Sequence, residues 1–427
     1  MNKIIKTTKL TILSLAFFFG FSYVYAWTAP TVNPPNGNTA APINTGVTPQ
    51  VKTSQLTASG FDMPANSYYK YNGANFAMAS TALYNYFTGG SGNLTMTGPY
   101  NTANGFQALL SNTTGFLNTA NGAQALYSNT TGLANTANGL QALYFNTTGG
   151  GNTTNGFQSL YFNTTGSDNT ANGEQSLTWN TTGFSNTANG NRSLYFNTTG
   201  SNNTANGDYS LYSNTTSSNN TANGVQSLTW NTTGFSNTAN GSQSLYSNIT
   251  GSNNTAIGYK ADVSSGDLSN ATAIGANAIV DASNKVRIGD SSVTVIGGQV
   301  GWSVLSDARL KKNISDSNLG LRFILKLKPV EYNNIAKGQE GIRYTGLIAQ
   351  DVEKTLKELN TDFSGLVKPQ SEKGFYELRY AEFVVPLIKS TQEQQKQIDD
   401  LKSTNNKQQT EIDELHKALQ DLKKAKR

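Results

Sequence analysis

The sequence predicts a mainly β repeat protein, a trimeric β-roll or β-solenoid with 17-residue coils, followed by a small α/β domain and a C-terminal coiled coil. Three observations support this fold class. A region rich in Asn, Thr and Gly repeats with a constant period, a segment of mixed composition follows it, and the chain ends in charged heptads. We therefore expect three units that pack by different rules.

The first 26 residues have the features of a secretory signal peptide. Three lysines precede an apolar run, and a small-residue exit ends at Ala26. The apolar run is short for a transmembrane helix, which needs about 20 residues. We expect removal of residues 1–26, which leaves a secreted or cell-surface protein without a transmembrane span.

Charge and cysteine content narrow the function classes. The formal net charge is +5, but the signal peptide contains three of the lysines, so 28 basic and 26 acidic residues remain after its removal. This balance does not favour a nucleic-acid partner. The chain contains no cysteine and one histidine, so we expect no disulfide, no metal site and no cofactor.

Residues 27–65 are predicted to form an extended spacer. Five of the ten prolines lie in residues 27–50, which contain no charged residue, and proline fixes φ and lacks a backbone donor. Residues 66–100 are rich in Gly, Asn and Tyr without a clear period, and we expect them to cap the repeats.

Residues 101–275 repeat with a period of 17. Such a period is typical of stacked coils. Asn-Gly and Asn-Thr-Thr-Gly are turn sequences, because Gly and Asn tolerate positive φ, so we expect two short strands per coil. The motif Asn-Thr-(Ala/Thr)-(Asn/Ile)-Gly starts at residues 101, 118, 135, 152, 169, 186, 203, 220, 237 and 254.

The apolar content of one coil is low. The ninth position is always leucine, accompanied by about one aromatic residue and one alanine. Ordering a residue costs roughly 1–2 kcal/mol, which several buried side chains per coil would have to offset. We therefore expect several chains to pool their apolar faces in one shared core. The leucines are Leu109, Leu126, Leu143, Leu160, Leu177, Leu194, Leu211, Leu228 and Leu245.

Stacking in register has two further consequences. Only four charged residues occur between positions 101 and 258, because like charges one coil apart would repel. Stacking also aligns Asn112, Asn129, Asn146 and their successors into a polar ladder. Each of them begins an N-glycosylation sequon, and we favour the ladder over glycosylation. The rows of Thr and Tyr could bind glycans or ice, although turn and strand chemistry explains them too.

Residues 276–301 alternate like a strand pair and are predicted to form a neck. Just before the neck, Ala256-Ile257-Gly258 and Ala273-Ile274-Gly275 occur at corresponding positions of the repeat. These motifs resemble the head repeats of trimeric autotransporter adhesins.

Residues 302–385 are predicted to form the small α/β domain. Residues 319–327 have a helical pattern, a strand is expected after Pro329, residues 343–356 read as a strand running into a helix, and residues 375–380 as another strand. About 85 residues can bury a modest core.

Residues 386–427 are predicted to form a coiled coil, with heptads that begin at Val384. Isoleucine at position a with leucine at position d favours dimers in parallel coiled coils, so this helix alone does not determine the number of chains. Polar layers at Asn405 and Gln408 would fix the register. The only histidine, His416, occupies position e and is expected to be solvated.

The candidate catalytic residues lie where the repeats give way to the charged domain, in the segment Ser306-Asp307-Ala308-Arg309-Leu310-Lys311. A serine hydroxyl needs a base, and lysine is the base at hand. Burial disfavours the charged ammonium, so Lys311 could serve if the fold encloses it. A short loop could turn Lys311 back onto Ser306. The dipeptide Ser-Asp alone is more typical of a polar linker than of a catalytic site.

Three ordered motifs resemble the self-cleaving intramolecular chaperone domain of endosialidase-type phage tailspikes and tail fibres. They are Ser306–Ile314, Tyr344–Lys354 and Tyr380–Ile398, and the resemblance covers Trp302 to about Gln397. It implies that Ser306 and Lys311 form a serine-lysine dyad and that the chain is cut between Ser306 and Asp307. It also implies that three copies assemble before the cut.

In the same family, a strand-to-helix motif matches Gly346, Gln350 and Asp351, which we interpret as structural. The sequence thus predicts a secreted homotrimeric fibre whose only chemistry is one cut per chain. The alternative is a permanently intact adhesin, or a glycan- or ice-binding repeat protein, with an inactive chaperone-like stalk. An enzyme acting on external polysaccharide is disfavoured, because the repeats contain no paired carboxylates.

Overall fold

The computed structural model describes residues 67–71, 74–80, 83–93, 95–335, 341–369 and 374–426. The predicted signal peptide and the spacer therefore lie outside the described residues. In chain order, a long β-solenoid is followed by an exposed segment, a small α/β unit and a long C-terminal helix. The predicted β-solenoid with 17-residue coils is confirmed.

The predicted cap region contributes three strands. Strands β1 (Ser67–Tyr71), β2 (Ala74–Ser80) and β3 (Asn85–Thr88) form an antiparallel meander. Strand β3 then pairs in parallel with the first strand of the repeats. The meander therefore continues the solenoid sheet at its N-terminal edge.

Each coil of the repeat contributes one three-residue strand to a parallel sheet. Successive strands pair Thr with Thr and Ala with Ala, so the register advances by one whole repeat. Strands β4 to β12 are Thr102–Asn104, Thr119–Asn121, Thr136–Asn138, Thr153–Asn155, Thr170–Asn172, Thr187–Asn189, Thr204–Asn206, Thr221–Asn223 and Thr238–Asn240. The C-terminal part of the solenoid contains strands β13 (Thr255–Ile257), β14 (Asp262–Val263), β15 (Thr272–Ile274), β16 (Ile279–Val280) and β17 (Val286–Ile288).

Strands β1–β13, β15 and β17 form one 15-stranded sheet, and β14 pairs with β16 in a second sheet. The prediction of two strands per coil is thus wrong for the coils before Asp262. The ninth-position leucines lie in turns instead, with φ between 47° and 53°. This left-handed conformation is unusual for leucine, and it bends the chain so that the side chain points into its own coil.

The interior of the solenoid closes within one chain, contrary to the shared core that we expected. The ninth-position leucine and the strand alanine have no exposed area in a single chain, as Leu143 and Ala137 illustrate. The alanine or serine at the eighth position is also fully buried, for example Ala142 and Ser159. The expectation failed because it counted apolar side chains only and left out the asparagines that fill the remaining space.

Two ladders of buried asparagine run along the interior. In the first, the side chain of Asn118 donates to Asn101 Oδ1 at 3.2 Å. In the second, Asn129 Nδ2 donates to Asn112 Oδ1 at 2.8 Å and to the Gly132 carbonyl at 3.0 Å. These bonds satisfy amides that would otherwise be costly to bury. The predicted ladder is therefore present, and its sequon asparagines are fully buried in the folded coil.

A glycine is required at the fifth position of each coil. Gly139 has φ of 137°, and a Cβ atom there would lie 2.4 Å from the carbonyl oxygen of Gly156 in the next coil. Neither the backbone conformation nor the space admits a side chain. This close contact sets how tightly consecutive coils stack.

Rows of aromatic side chains cover part of the outer surface. The rings of Tyr127, Tyr144 and Tyr161 are nearly parallel from coil to coil, with centroid distances of 4.9 and 5.2 Å. A neighbouring row contains Phe162 and Trp179, whose centroids are 4.2 Å apart. Such ring pairs add about 0.5–1.5 kcal/mol beyond burial.

The stability of the solenoid should fall as pH rises through the titration of Asp262. Burial raises the pKa of this carboxyl above its ordinary value, against hydrogen bonds from Ser247 and Val263 that lower it. The folded state therefore binds the proton more tightly than the unfolded state, so this contribution is full below the unfolded pKa and is lost above the folded one. We expect Asp262→Asn to flatten the pH dependence of the urea midpoint between pH 4 and pH 7, which are chosen to bracket the transition. Asp267→Asn is the control, because a hydrogen bond from Ser265 lowers the pKa of Asp267 rather than raising it, so this variant should not flatten the slope. An unchanged slope in Asp262→Asn would contradict the prediction.

The predicted helices and strands of the α/β unit are present. Helix α1 (Leu321–Ile324) precedes the antiparallel pair β18 (Val330–Asn333) and β19 (Arg343–Gly346), which leads into helix α2 (Ala349–Leu359). A second antiparallel pair consists of β20 (Leu366–Val367) and β21 (Glu377–Leu378). The small core consists of Phe323, Val352, Leu356 and Phe383.

The chain continues through a 3₁₀ turn, Tyr380–Phe383, into helix α3 (Val384–Ala425). The first turns of α3 pack on the α/β unit, where Glu393 accepts a hydrogen bond from the Leu321 N–H at 2.7 Å. Further along, the heptad residues face solvent, and Leu401 and Leu415 are about 70% exposed. A single chain therefore leaves the apolar stripe of the predicted coiled coil uncovered, and His416 is exposed as expected.

Candidate active site

A short turn lies between Ser306 and Lys311. Residues Ala308–Leu310 form a 3₁₀ helix, and the Asp307 carboxylate caps it by accepting a hydrogen bond from the Arg309 N–H at 2.8 Å. Aspartate is a favourable N-cap because it accepts from backbone groups that have no partner in the helix. The turn folds the chain back, so that residues five positions apart face each other.

The side chains of Ser306 and Lys311 meet across this turn. The Lys311 Nζ atom donates a hydrogen bond to Ser306 Oγ, with a distance of 2.7 Å. The distance suits a serine and its base, although catalysis requires the opposite direction, in which a neutral amine accepts the hydrogen of the serine hydroxyl. Both residues are exposed to solvent, so the fold of one chain does not enclose Lys311, as the sequence-based hypothesis required.

Asp307 and Arg309 form an ion pair next to the dyad. Arg309 Nη2 lies 2.7 Å from Asp307 Oδ2, and the hydrogen bonds from the Arg309 side chain and backbone lower the pKa of the Asp307 carboxyl. The carboxylate therefore stays charged and remains tied to the turn on the C-terminal side of the predicted cleavage point. Our sequence analysis missed this pair, although an acidic N-cap two residues before an arginine is a readable signal.

The segment around the dyad is open to solvent on all sides. Trp302, Val304, Leu305, Leu310 and Ile314 are each at least 69% exposed. Five large apolar side chains in such a short exposed segment are unusual for a monomeric surface. None of the described residues of one chain encloses this segment.

The strand-to-helix motif has a structural role in the geometry. Gly346 ends β19, and a Cβ atom there would lie 2.5 Å from the Tyr380 hydroxyl. That hydroxyl accepts a hydrogen bond from the Leu347 N–H at 2.8 Å. Gln350 and Asp351 follow in the first turn of α2. The contacts of Gly346 and Leu347 with Tyr380 therefore join the end of β19 to the 3₁₀ turn that precedes α3.

Two negative findings apply to the described part of the chain. It contains no cluster of three or more acidic or histidine side chains that could bind a metal ion. None of its helices combines the length and the apolar character needed to cross a membrane.

A family model described as chaperone of endosialidase matches residues 306–361. The match begins at Ser306, includes Lys311 and extends through α1, the β18–β19 pair and α2. None of the curated proteins compared with the chain matches it. The order of elements around the matched segment, a β-solenoid before it and a long helix after it, agrees with the architecture expected from the sequence. Residues 306–361 are therefore similar to the chaperone-of-endosialidase family, and this segment lies between a β-solenoid and a C-terminal helix.

Proposed function

We propose that this chain assembles into a secreted, homotrimeric surface fibre and that its chaperone region, residues 302–385, directs assembly and then cuts itself free. The cut falls between Ser306 and Asp307. The observation that carries the proposal is the 2.7 Å hydrogen bond between Lys311 and Ser306, at the first residue of the chaperone-of-endosialidase match. The protein acts on itself, once per chain.

The dyad supplies the proton transfers of peptide cleavage. The neutral amine of Lys311 takes the proton of Ser306 Oγ as the oxygen attacks a carbonyl carbon. The ammonium of Lys311 then gives this proton to the departing amine, and water hydrolyses the ester that remains. The proximity of Ser306 and Lys311 within one short turn favours the proton transfer between them.

Assembly supplies what one chain lacks. An ammonium surrounded by water keeps its proton, whereas burial favours the neutral amine that can act as a base. The exposed apolar residues beside the dyad, and the uncovered stripe of α3, are the surfaces that other copies would cover. The cut therefore waits until the chains have assembled.

A helper would align the copies rather than fold each solenoid, because the interior of one chain closes on its own. Copies built from similar 17-residue coils can pack one repeat out of register with one another. A coiled coil that gathers the chains first lowers the entropic cost of reaching the aligned arrangement. Removal of the helper afterwards leaves a fibre that is kinetically trapped in its assembled form.

The test is to map the cut in the full chain. Denaturing gels and N-terminal sequencing of the purified wild type should reveal a C-terminal fragment that begins at Asp307. The Ser306→Ala variant should remain intact. A wild type that stays intact after assembly would refute the catalytic part of the proposal and leave the structural part.

The first residue of the fragment also identifies the attacked carbonyl. Ser306 Oγ reaches the carbonyl of Leu305 through a five-membered ring, but its own carbonyl only through a strained four-membered ring. A cut after Ser306 therefore requires the attacking oxygen to come from another copy or from a water molecule that the dyad activates. A fragment beginning at Ser306 would instead indicate direct attack on the Leu305 carbonyl.

A permanently intact adhesin is the second candidate. The outer aromatic rows favour it, because Trp179 and Trp230 are 40% and 47% exposed, and exposed aromatic rings are common at binding surfaces. Full-length protein that persists after assembly, together with binding to surface glycans that Trp179→Ala and Trp230→Ala abolish, would support this function instead.

A further inference from the structure

Four charged side chains connect the end of the solenoid to the chaperone region. Asp281, Lys285 and Arg287 lie in the neck, upstream of Ser306. Glu377 lies downstream, in β21. Glu377 Oε1 accepts hydrogen bonds from Lys285 Nζ at 2.7 Å and from Arg287 Nη2 at 2.9 Å.

Asp281 completes the cluster on the solenoid side. Its Oδ1 atom is 2.8 Å from Lys285 Nζ and 3.7 Å from Arg287 Nη2. The side chains are partly shielded from water, with 14% exposure for Asp281, 20% for Lys285, 34% for Glu377 and 37% for Arg287. Burial alone would lower the pKa of Lys285, but Asp281 and Glu377 raise it above its ordinary value. Both carboxylates therefore favour the ammonium form.

Both sides of the cluster are fixed to folded structure. Lys285 and Arg287 flank Val286 at the last strand of the 15-stranded sheet, which is β17. Glu377 is held in β21, whose Leu378 packs against the hydrophobic core of the chaperone region. The contact therefore joins two folded bodies, whereas the covalent connection between them is an exposed segment.

The predicted cut lies inside the loop that this contact closes. Glu377 is about 90 residues from its basic partners in sequence, and the bond between Ser306 and Asp307 lies between them. Breaking that bond removes the covalent connection but leaves these hydrogen bonds in place. The two fragments would then meet only through non-covalent contacts, of which this cluster is a charged and partly buried one.

We propose that Glu377 is a latch, an acidic side chain seated between Lys285 and Arg287 that keeps the severed C-terminal fragment bound to the end of the solenoid. This inference rests on the proposed function and extends it. The partner that binds the end of the solenoid is the C-terminal fragment cut from the same chain. Cleavage and release are then two separate events, and the second depends on ionic strength.

Salt should act strongly on this contact. The screening length falls from about 8 Å at 0.15 M salt to about 3 Å at 1 M. If three copies assemble, three latches act together. The release of the helper then depends more steeply on salt concentration than the release of a single pair would. The fragment should remain bound in dilute buffer and dissociate in concentrated salt.

The test uses a chain that can be severed without self-cleavage. In the full-length Ser306→Ala variant, residues 296–300 are replaced by the recognition sequence of a specific protease, because this exposed segment should tolerate it. The protein carries a C-terminal affinity tag, is cut with the protease, and the solenoid fragment that co-elutes with the tag is measured. A failure of the proposed self-cleavage leaves this measurement intact.

We expect the solenoid fragment to co-elute at about 0.15 M NaCl and to dissociate at about 1 M. Glu377→Gln should lower the retained fraction about tenfold in dilute buffer, as should Arg287→Gln from the other side. Glu331→Gln is the matched control, since Glu331 pairs with Arg343 at 2.6 Å within the chaperone region, and it should retain the fragment.

Three results would overturn the latch. One is equal retention in Glu377→Gln and its parent at both salt concentrations. Another is equal loss in Glu331→Gln, which would indicate a general effect of charge. The third is dissociation of the parent itself in dilute buffer. Circular dichroism of each uncut variant separates loss of the contact from loss of the fold, and agreement between Glu377→Gln and Arg287→Gln supports the contact itself.

Discussion

Replacing Lys311 with arginine is expected to leave the chain uncut, although arginine keeps the positive charge and can still donate a hydrogen bond to Ser306. The guanidinium does not lose its proton in proteins, so it cannot take the proton of the serine hydroxyl. A positioned general base contributes about 10²–10⁴-fold to a rate. The readout is the fraction of intact chain over time on denaturing gels after assembly.

The neighbouring Lys312→Arg is the matched control for this variant. It makes the same change of side chain one residue away, in the same exposed segment, and should be cut at the wild-type rate. Cleavage of Lys311→Arg at that rate would mean that Lys311 holds Ser306 in position through charge and hydrogen bonding and that another group takes the proton.

Replacing Asn163 with alanine should strongly destabilise the solenoid. Its amide nitrogen donates to Asn146 Oδ1 at 2.7 Å and to the Gly166 carbonyl at 2.9 Å, and its oxygen accepts from Asn180 at 2.8 Å. All of these groups are buried. The Gly166 carbonyl keeps a hydrogen bond from Asn152 at 2.9 Å, so Asn146 Oδ1 and one N–H of Asn180 lose their partners. Each buried group left without a partner costs about 1–3 kcal/mol, so we expect a loss of roughly 2–6 kcal/mol in the free energy of unfolding.

The control is the same substitution in the row of exposed asparagines at the strand ends, which we call the outer ladder to distinguish it from the buried inner ladders. Asn155 also bonds to its neighbours one coil away, accepting from Asn138 at 2.8 Å and donating to Asn172 at 2.7 Å, but these bonds are exposed to water. Asn155→Ala should cost less than about 1 kcal/mol, because water replaces the lost partners. The comparison is made by urea denaturation, and similar losses in the two variants would contradict the assigned role of the inner ladder.

The sequence period was sufficient to predict the solenoid, because side chains one repeat apart must stack wherever coils have equal length. The position of the leucine was not predictable in the same way. Alternation assigns a side chain to a face only within a strand, and Leu143 lies in a left-handed turn where that rule does not hold. The buried ladder was visible as a row of asparagines, but its share of the interior was underestimated.

The sequence likewise predicts one part of the candidate site and not the other. The spacing of Ser306 and Lys311, with an N-capping aspartate between them, indicates a short turn that brings the two side chains together. Contacts with Glu377 could not be predicted, since its basic partners are far away in sequence and nothing local marks them as neighbours. Long-range ion pairs of this kind are set by the packing of folded units.

The inner ladder also determines how the length of this protein can change. Because every coil bonds only to the coils on either side, the free energy of the solenoid is close to a sum of identical steps. A tandem duplication or loss of one 17-residue block would join matching donors and acceptors and leave both ends unaltered. A block of any other size would interrupt the asparagine rows. The length of the solenoid could therefore evolve in steps of one coil, without changes to either of its ends.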